Sequence, residues 1–481
     1  MNYRNLCVGI DESLRRVGEV HQASGEGVAC VVDSKGTLRG TLSDGDFRRA
    51  LLSGANLDDT VVDYMNPNPF AMRESARLSD LAKRLSDYKI IPLVDSNGIL
   101  VDFYSNKHVV GIPVSQPALK GNEIKYVMEC LETNWISSQG KYVNQLESNL
   151  KDYVGAKDCV AVSNGTVAIQ LALSVLGIGP GDEVIVPSLT FGATANAVLA
   201  VGASPCFVDI DEDNLNLDIE KTIAAINSNT KAIIPVDLYG VPFQMKLLRS
   251  RLKSRPDISV IQDCAESLGA YESGRHTGGY ADVCTFSFFA NKIITCGEGG
   301  AICFFKDGIS QKARIMRDHG MDPEQRYHHL YPGFNFRITN IQAAIGCAQL
   351  ERIDEILVSR RNIFDLYDRE LEGLQLRHQS ILETSITSPW LYTFRLPGGN
   401  VEALQEFMKS KGIDTRRIFA PLHNMSPFKK FKDYGSSSAE NSYQFGISLP
   451  TFSGMSNQQV QFVADMLKQG IEQNTNLEVL I

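Results

Sequence analysis

No apolar run in this 481-residue chain approaches the roughly 18 residues needed to cross a bilayer, which sets aside a membrane-spanning protein. Positive charge is not in excess: 47 Lys and Arg face 56 Asp and Glu, and the net charge of −9 argues against a nucleic-acid-binding surface. The ten cysteines form no Cys-x-x-Cys pair, and several sit in apolar runs. They fit buried free thiols in a reducing cytoplasm better than zinc or disulfides, and no metal is expected. The opening Met1-Asn-Tyr-Arg-Asn-Leu-Cys7 lacks the apolar core of a signal peptide, so a cytoplasmic location is expected. No Gly-Lys-Ser/Thr phosphate loop occurs, and His328-His329 is read as a surface pair. Gly177-Ile-Gly-Pro-Gly-Asp182 looks like a dinucleotide fingerprint, but it follows a helix and precedes a strand, the reverse of the required order.

What is present is a soluble composition, 43% hydrophobic, long enough for two or three domains. Near the start, Glu12-Ser13 recurs as Glu74-Ser75, and Val32-Asp-Ser-Lys-Gly36 as Val94-Asp-Ser-Asn-Gly98, both 62 residues on. A constant offset implies two copies of one unit, each a helix, a strand, a hairpin turn and a strand. Residues 1–108 resemble a tandem CBS-type module. In that family a Ser/Thr-x-x-Asp after the second strand grips a ribose, which points to Ser43 and Asp46 as nucleotide ligands. The second copy, Val101-Asp-Phe-Tyr-Ser-Asn-Lys107, has no aspartate three residues after Ser105, so at most one site is intact. The alternative is a packing or dimerisation module without a ligand. A linker is expected at 109–117.

Beyond it, helical spacing places Ile124, Val127, Met128 and Leu131 on one face, and a second helix uses Leu146, Leu150 and Val154. Strand-like runs at Cys159–Val162, Glu183–Pro187, Pro205–Val208, Lys231–Pro235 and Ile258–Ile261 then alternate with helical patterns. The expected class is α/β, a mostly parallel sheet flanked by helices, with ligands beyond the carboxyl ends of the strands. Ser163-Asn-Gly-Thr166 opens a helix there, either as an anion cradle or as a plain N-cap. Phe191 follows the next strand and can stack on a flat ligand or join the core. Asp263 ends a buried run and needs a partner, for which a protonated ring nitrogen is one choice. Lys292, 29 residues later, stands between two apolar strands beside Gly297-Glu-Gly-Gly300. Desolvation there favours the neutral, nucleophilic amine.

Anion cradle, aromatic, buried acid and lysine together describe a pyridoxal phosphate site. The stretches Ser115–Glu123, Trp135–Gly140, Val162–Thr166, Asp263–Gly269, Ser287–Lys292, Gly297–Gly300, Arg317–Met321 and Gly333–Arg337 carry a resemblance, from about Ile112 onward, to the DegT/DnrJ/EryC1/StrS sugar aminotransferases. The resemblance implies a fold-type I enzyme with a cofactor-binding large domain at 118–351 and a small α+β domain at 352–481. It implies that Lys292 carries the cofactor and shuttles the proton, and that Asp263 keeps the pyridine nitrogen protonated. Phe191 would stack on the ring, Gly165, Thr166 and Ser287 would hold the phosphate, and Glu266 would lie on the hydroxyl side. Asn335 would reach the phosphate of a neighbouring subunit, making a homodimer with shared sites. Trp135, Ser137, Ser138 and His319 would meet the sugar nucleotide. The implied reaction passes an amino group from glutamate to C4 of a nucleotide-linked 4-keto-6-deoxyhexose, GDP-linked in the nearest branch. Transfer at C3, or to a UDP- or dTDP-linked sugar, is the enzymatic alternative. A non-catalytic nucleotide sensor is the alternative from another class.

Overall fold

The computed structural model of the chain describes residues 3–76, 80–81, 84–85, 87–105 and 111–478. They divide into two compact units, Met1–Ile112 with Ser456–Gln469, and Pro113–Met455 with Gly470–Ile481. Positions 109 and 110 of the expected linker lie outside the described residues. None of the described helices is long and apolar enough to cross a membrane.

In the first unit, β1 (Cys7–Gly9), β2 (Val28–Val32) and β3 (Leu38–Ser43) form one three-stranded sheet, and β4 (Met72–Arg73), β5 (Ile90–Val94) and β6 (Leu100–Ser105) form another. The two agree residue by residue. Val28 pairs with Ser43 and Ile90 with Ser105, and both ladders slip one position before Val32 and Val94. The cause is local: Asp33 accepts from the main-chain N–H groups of Lys35 and Thr37, as Asp95 does from Asn97 and Ile99. Gly36 and Gly98 follow at φ of 81° and 80°, conformations open to glycine. The sequence repeat is therefore a repeat of register. Helix Leu14–Ser24 buries Leu14, Val17 and Val20 against the first copy; the helix expected in the second copy falls partly on residues outside those described.

The second unit is built on a seven-stranded sheet. Its strands are β7 (Asp158–Val162), β8 (Glu183–Pro187), β9 (Ser204–Val208), β10 (Thr230–Ile233), β11 (Ser259–Asp263), β14 (Val283–Ser287) and β15 (Gly300–Phe304), after the short pair β12 (Tyr271–Glu272) and β13 (Arg275–His276). The order is β7-β15-β14-β11-β10-β8-β9. All pairings from β9 to β14 are parallel, whereas β15 runs antiparallel to both β14 and β7. The expected mostly parallel sheet is thus mixed. A loop rather than a crossover helix joins β14 to β15, and it reverses the chain. Both faces are covered: along β7, Cys159 and Ala161 join one core while Val160 and Val162 join the other. All ten cysteines are free, and Cys7 alone is only partly buried.

After helix Ile353–Glu370 and β16 (Ser385–Ile386), strands β17 (Tyr392–Arg395), β18 (Arg416–Arg417) and β19 (Gly446–Leu449) make a small antiparallel sheet ordered β17-β19-β18. Helices Val401–Ser410 and Ser437–Phe445 belong to the same α+β region.

Candidate active site

The carboxyl ends of β7, β11 and β14 open on a cavity of about 670 Å³. Lys292 enters it from the β14–β15 loop. That loop is fixed by main-chain bonds from Phe288 to Gly299 (2.8 Å) and from Cys296 to Phe288 (2.9 Å), and Gly297 turns it at φ 81°. The lysine Nζ lies 3.6 Å from Glu266 Oε1 and 4.0 Å from the centroid of the Trp390 ring. Burial lowers the Lys292 pKa; the negative charges of Glu266 and Asp263 oppose this without reversing it.

Asp263 is the last residue of β11, and its side chain accepts from Thr194 Oγ1 at 2.9 Å and from the Ala265 N–H at 3.1 Å. Burial still pushes its carboxyl up from the usual carboxylate range. Glu266 accepts from the Tyr239 N–H at 2.7 Å, and burial pushes it up to about 7. The cavity therefore holds two acids that are costly to ionise unless a cation meets them.

At the β7 end, Asn164 caps helix Gly165–Val175 by accepting from the Val167 N–H. The helix start packs so tightly on β14 and β15 that side chains are excluded. A Cβ on Gly165 would lie 2.8 Å from Ser287 Cβ, and one on Gly300 would lie 2.6 Å from the Asn164 carbonyl. The result is a bare-backbone cradle at a helix N-terminus, flanked by Thr166 and Ser287. Phe191, 61% exposed, stands at the opening and packs on Phe419 with ring centroids 5.8 Å apart.

Seven candidate residues, Gly165, Thr166, Phe191, Asp263, Glu266, Ser287 and Lys292, therefore line one cavity. Asn335, Trp135, Ser137, Ser138 and His319 do not line it. Asn335 is exposed and accepts from Arg337 Nε at 3.0 Å, while His319 is exposed at φ 60° with its carbonyl accepting from His329 Nδ1. Trp135 is 56% exposed, and the Ser137 carbonyl accepts from the Asn340 N–H. Ser43 and Asp46 lie in the other unit as a reciprocal cap of helix Asp44–Leu52, with Ser43 Oγ donating to Asp46 Oδ2 at 2.6 Å and Arg49 pairing with the same acid. No metal-binding cluster of His, Cys, Asp and Glu occurs among the described residues. Sequence reasoning missed Thr194, Trp390 and Arg416. Thr194 follows Phe191 by one helical turn, a spacing that offered a signal; Trp390 and Arg416 come from the C-terminal region and offered none.

The residues present fit a flat, phosphorylated, cationic-ring cofactor. The cradle leaves room for a phosphate, Asp263 awaits a cation, and Thr285 Oγ1 and Asn291 Oδ1 are buried at the cavity without hydrogen-bond partners. Such a site in such a sheet defines a fold-type I pyridoxal-phosphate-dependent aminotransferase. Comparison with known proteins agrees: the model of the DegT/DnrJ/EryC1/StrS aminotransferase family matches residues 117–468, and the chain belongs to that family. It is 43% identical over 363 residues to GDP-perosamine synthase of Caulobacter vibrioides, covering 74% of this chain and 98% of that one. The Vibrio cholerae protein of the same name is 37% identical over 361 residues, with the same coverage. A Streptococcus pneumoniae sugar aminotransferase in its PMP form superposes with a TM-score of 0.73 at 29% identity, over 76% of this chain and 99% of that chain; its PLP form has also been solved.

Proposed function

We propose that this enzyme transfers the amino group of glutamate to C4 of GDP-4-keto-6-deoxymannose, in the cytoplasm, giving a GDP-perosamine-like product. The observation that carries this reading is the 43% identity spanning 98% of the Caulobacter vibrioides enzyme, over the stretch that builds the cavity. Bound pyridoxal phosphate would supply an electron sink that lets an amine leave one carbon and join another. The chain's own residues do the rest. Gly165, Thr166 and Ser287 would hold the phosphate, Phe191 would cover the ring, and Asp263 would keep a ring N–H charged. Lys292, with its lowered pKa, takes and returns the proton at the reacting carbon. Assay of a panel of GDP-, UDP- and dTDP-linked keto sugars with glutamate tests the assignment. Preference for a UDP- or dTDP-linked sugar, or amination at C3, would replace it.

The site is completed in a homodimer, with Asn335 supplied by a second copy. Helix Glu123–Glu132 exposes Ile124 (76%), Met128 (47%) and Leu131 (49%), an apolar face that a second copy would cover. Ile124→Glu with Leu131→Glu should sediment as a monomer and lose turnover; an active monomer would contradict the shared site. The N-terminal repeat acts as a CBS-like regulatory module binding a nucleotide through Ser43 and Asp46, whose mutual hydrogen bond a ribose would have to displace. Calorimetry of the full chain with adenine and guanine nucleotides tests this, and absence of heat with all of them would leave a packing role.

A further inference from the structure

We propose that Trp390 is a positioning residue for Lys292, its indole face seating the lysine ammonium whenever that amine is free. This rests on the aminotransferase reading, in which the amine is released during turnover. Nζ stands 4.0 Å from the ring centroid, inside the range of about 6 Å over which a cation and an aromatic face attract. The ring cannot turn away. Its Nε1 donates to the carbonyl of Asn291, the residue before the lysine, at 2.8 Å. Tyr239 stacks on it at 5.9 Å with a 15° interplanar angle. The Trp390 carbonyl accepts from the buried guanidinium of Arg360 at 2.7 Å. Ring and lysine backbone are thus tied together by a hydrogen bond, and the nitrogen also lies 3.6 Å from Glu266 Oε1.

A free lysine side chain has many rotamers, and holding one of them costs entropy. The indole face offsets that cost by giving the ammonium one seat beside the reacting atoms. Glu266, Asp263 and Arg416 are the other charged groups that act on this nitrogen. All three remain in Trp390 variants, so a difference between variants isolates the ring.

In the test, the holoenzyme is first loaded with excess glutamate and no acceptor, and the change in the visible band of the bound cofactor reports that the lysine has been released. A band that never changes overturns the aminotransferase reading, and this inference with it. Once released, Lys292 is acylated with a small N-hydroxysuccinimide ester across a pH series and the labelled peptide is quantified by mass spectrometry. Trp390→Phe keeps an aromatic face but lacks the N–H donor that ties the ring to Asn291, and should fall between the wild type and Trp390→Leu. Trp390→Leu should move the acylation midpoint to lower pH and raise the rate near neutrality roughly tenfold to thirtyfold, the loss expected when a desolvated cation–π contact is removed. Its kcat should fall while the KM for the acceptor stays. Tryptophan fluorinated at increasing numbers of ring positions, incorporated throughout the chain, keeps volume and N–H while draining the ring face. The midpoint should then fall step by step. Equal midpoints across the fluorinated series, or equal behaviour of the Phe and Leu variants, would overturn the proposal.

Discussion

Replacing Glu266 with glutamine probes how the cavity handles charge. The carboxyl is buried 3.6 Å from Lys292 Nζ and accepts from the Tyr239 N–H; an amide preserves that acceptor and the volume but cannot ionise. Burial moves the Glu266 pKa from 4.5 to about 7. That change corresponds to about 3 kcal/mol. Because the folded value lies above the unfolded one, the native state keeps a proton that the unfolded chain releases. The stability this proton contributes is fully present below pH 4.5 and is lost as pH rises through about 7. Cofactor-free wild type should therefore lose up to about 3 kcal/mol relative to Glu266→Gln between about pH 5 and about pH 8. Thermal melts of the two cofactor-free proteins read this directly: Tm values nearly equal near pH 5 and separated by several degrees near pH 8, with the variant higher. Lys292, whose lowered pKa acts with the opposite sign, is common to both proteins. Melting curves that stay parallel from acid to neutral pH would refute the reasoning.

Gly300→Ala would place a Cβ 2.6 Å from the Asn164 carbonyl and 2.8 Å from the Gly165 nitrogen, where only backbone can yield. Cofactor affinity, titrated by absorbance, should drop about fivefold or more from an overpacking strain of about 1–3 kcal/mol. Thr194→Val removes the hydroxyl that donates to Asp263 at 2.9 Å, leaving a buried carboxylate oxygen short of a partner. A stability loss of about 1–3 kcal/mol is expected. Since that bond lowers the Asp263 pKa, the acid limb of kcat/KM should move to higher pH in the variant.

The parts of the site that were legible in the sequence share one property. Gly165, Asp263, Ser287 and Lys292 each follow or end an apolar strand, so a strand's carboxyl end could be located from local pattern alone. The internal repeat was legible for a similar reason, because Asp33 and Asp95 fix the same turn and hence the same register. Trp390 and Arg416 were not legible. They meet the lysine through folding of a region about a hundred residues away, and no periodicity encodes that meeting. The direction of β15 is not legible either: its apolar residues, Ala301-Ile-Cys-Phe304, look the same in a parallel or an antiparallel neighbour. Asn335, Trp135, Ser137, Ser138 and His319 belong to family-like stretches, yet one chain does not bring them to its own cavity.

The central claim is that Lys292, in a cavity built for pyridoxal phosphate, moves an amino group onto a GDP-linked keto sugar. The direct measurement is glutamate-dependent amination of GDP-4-keto-6-deoxymannose by wild type and Lys292→Ala, with product identified by mass spectrometry and the cofactor's visible band recorded alongside. The account predicts a 4-amino product from wild type, and loss of both product and lysine-dependent band in the variant. An unchanged band or undiminished turnover in Lys292→Ala would contradict it.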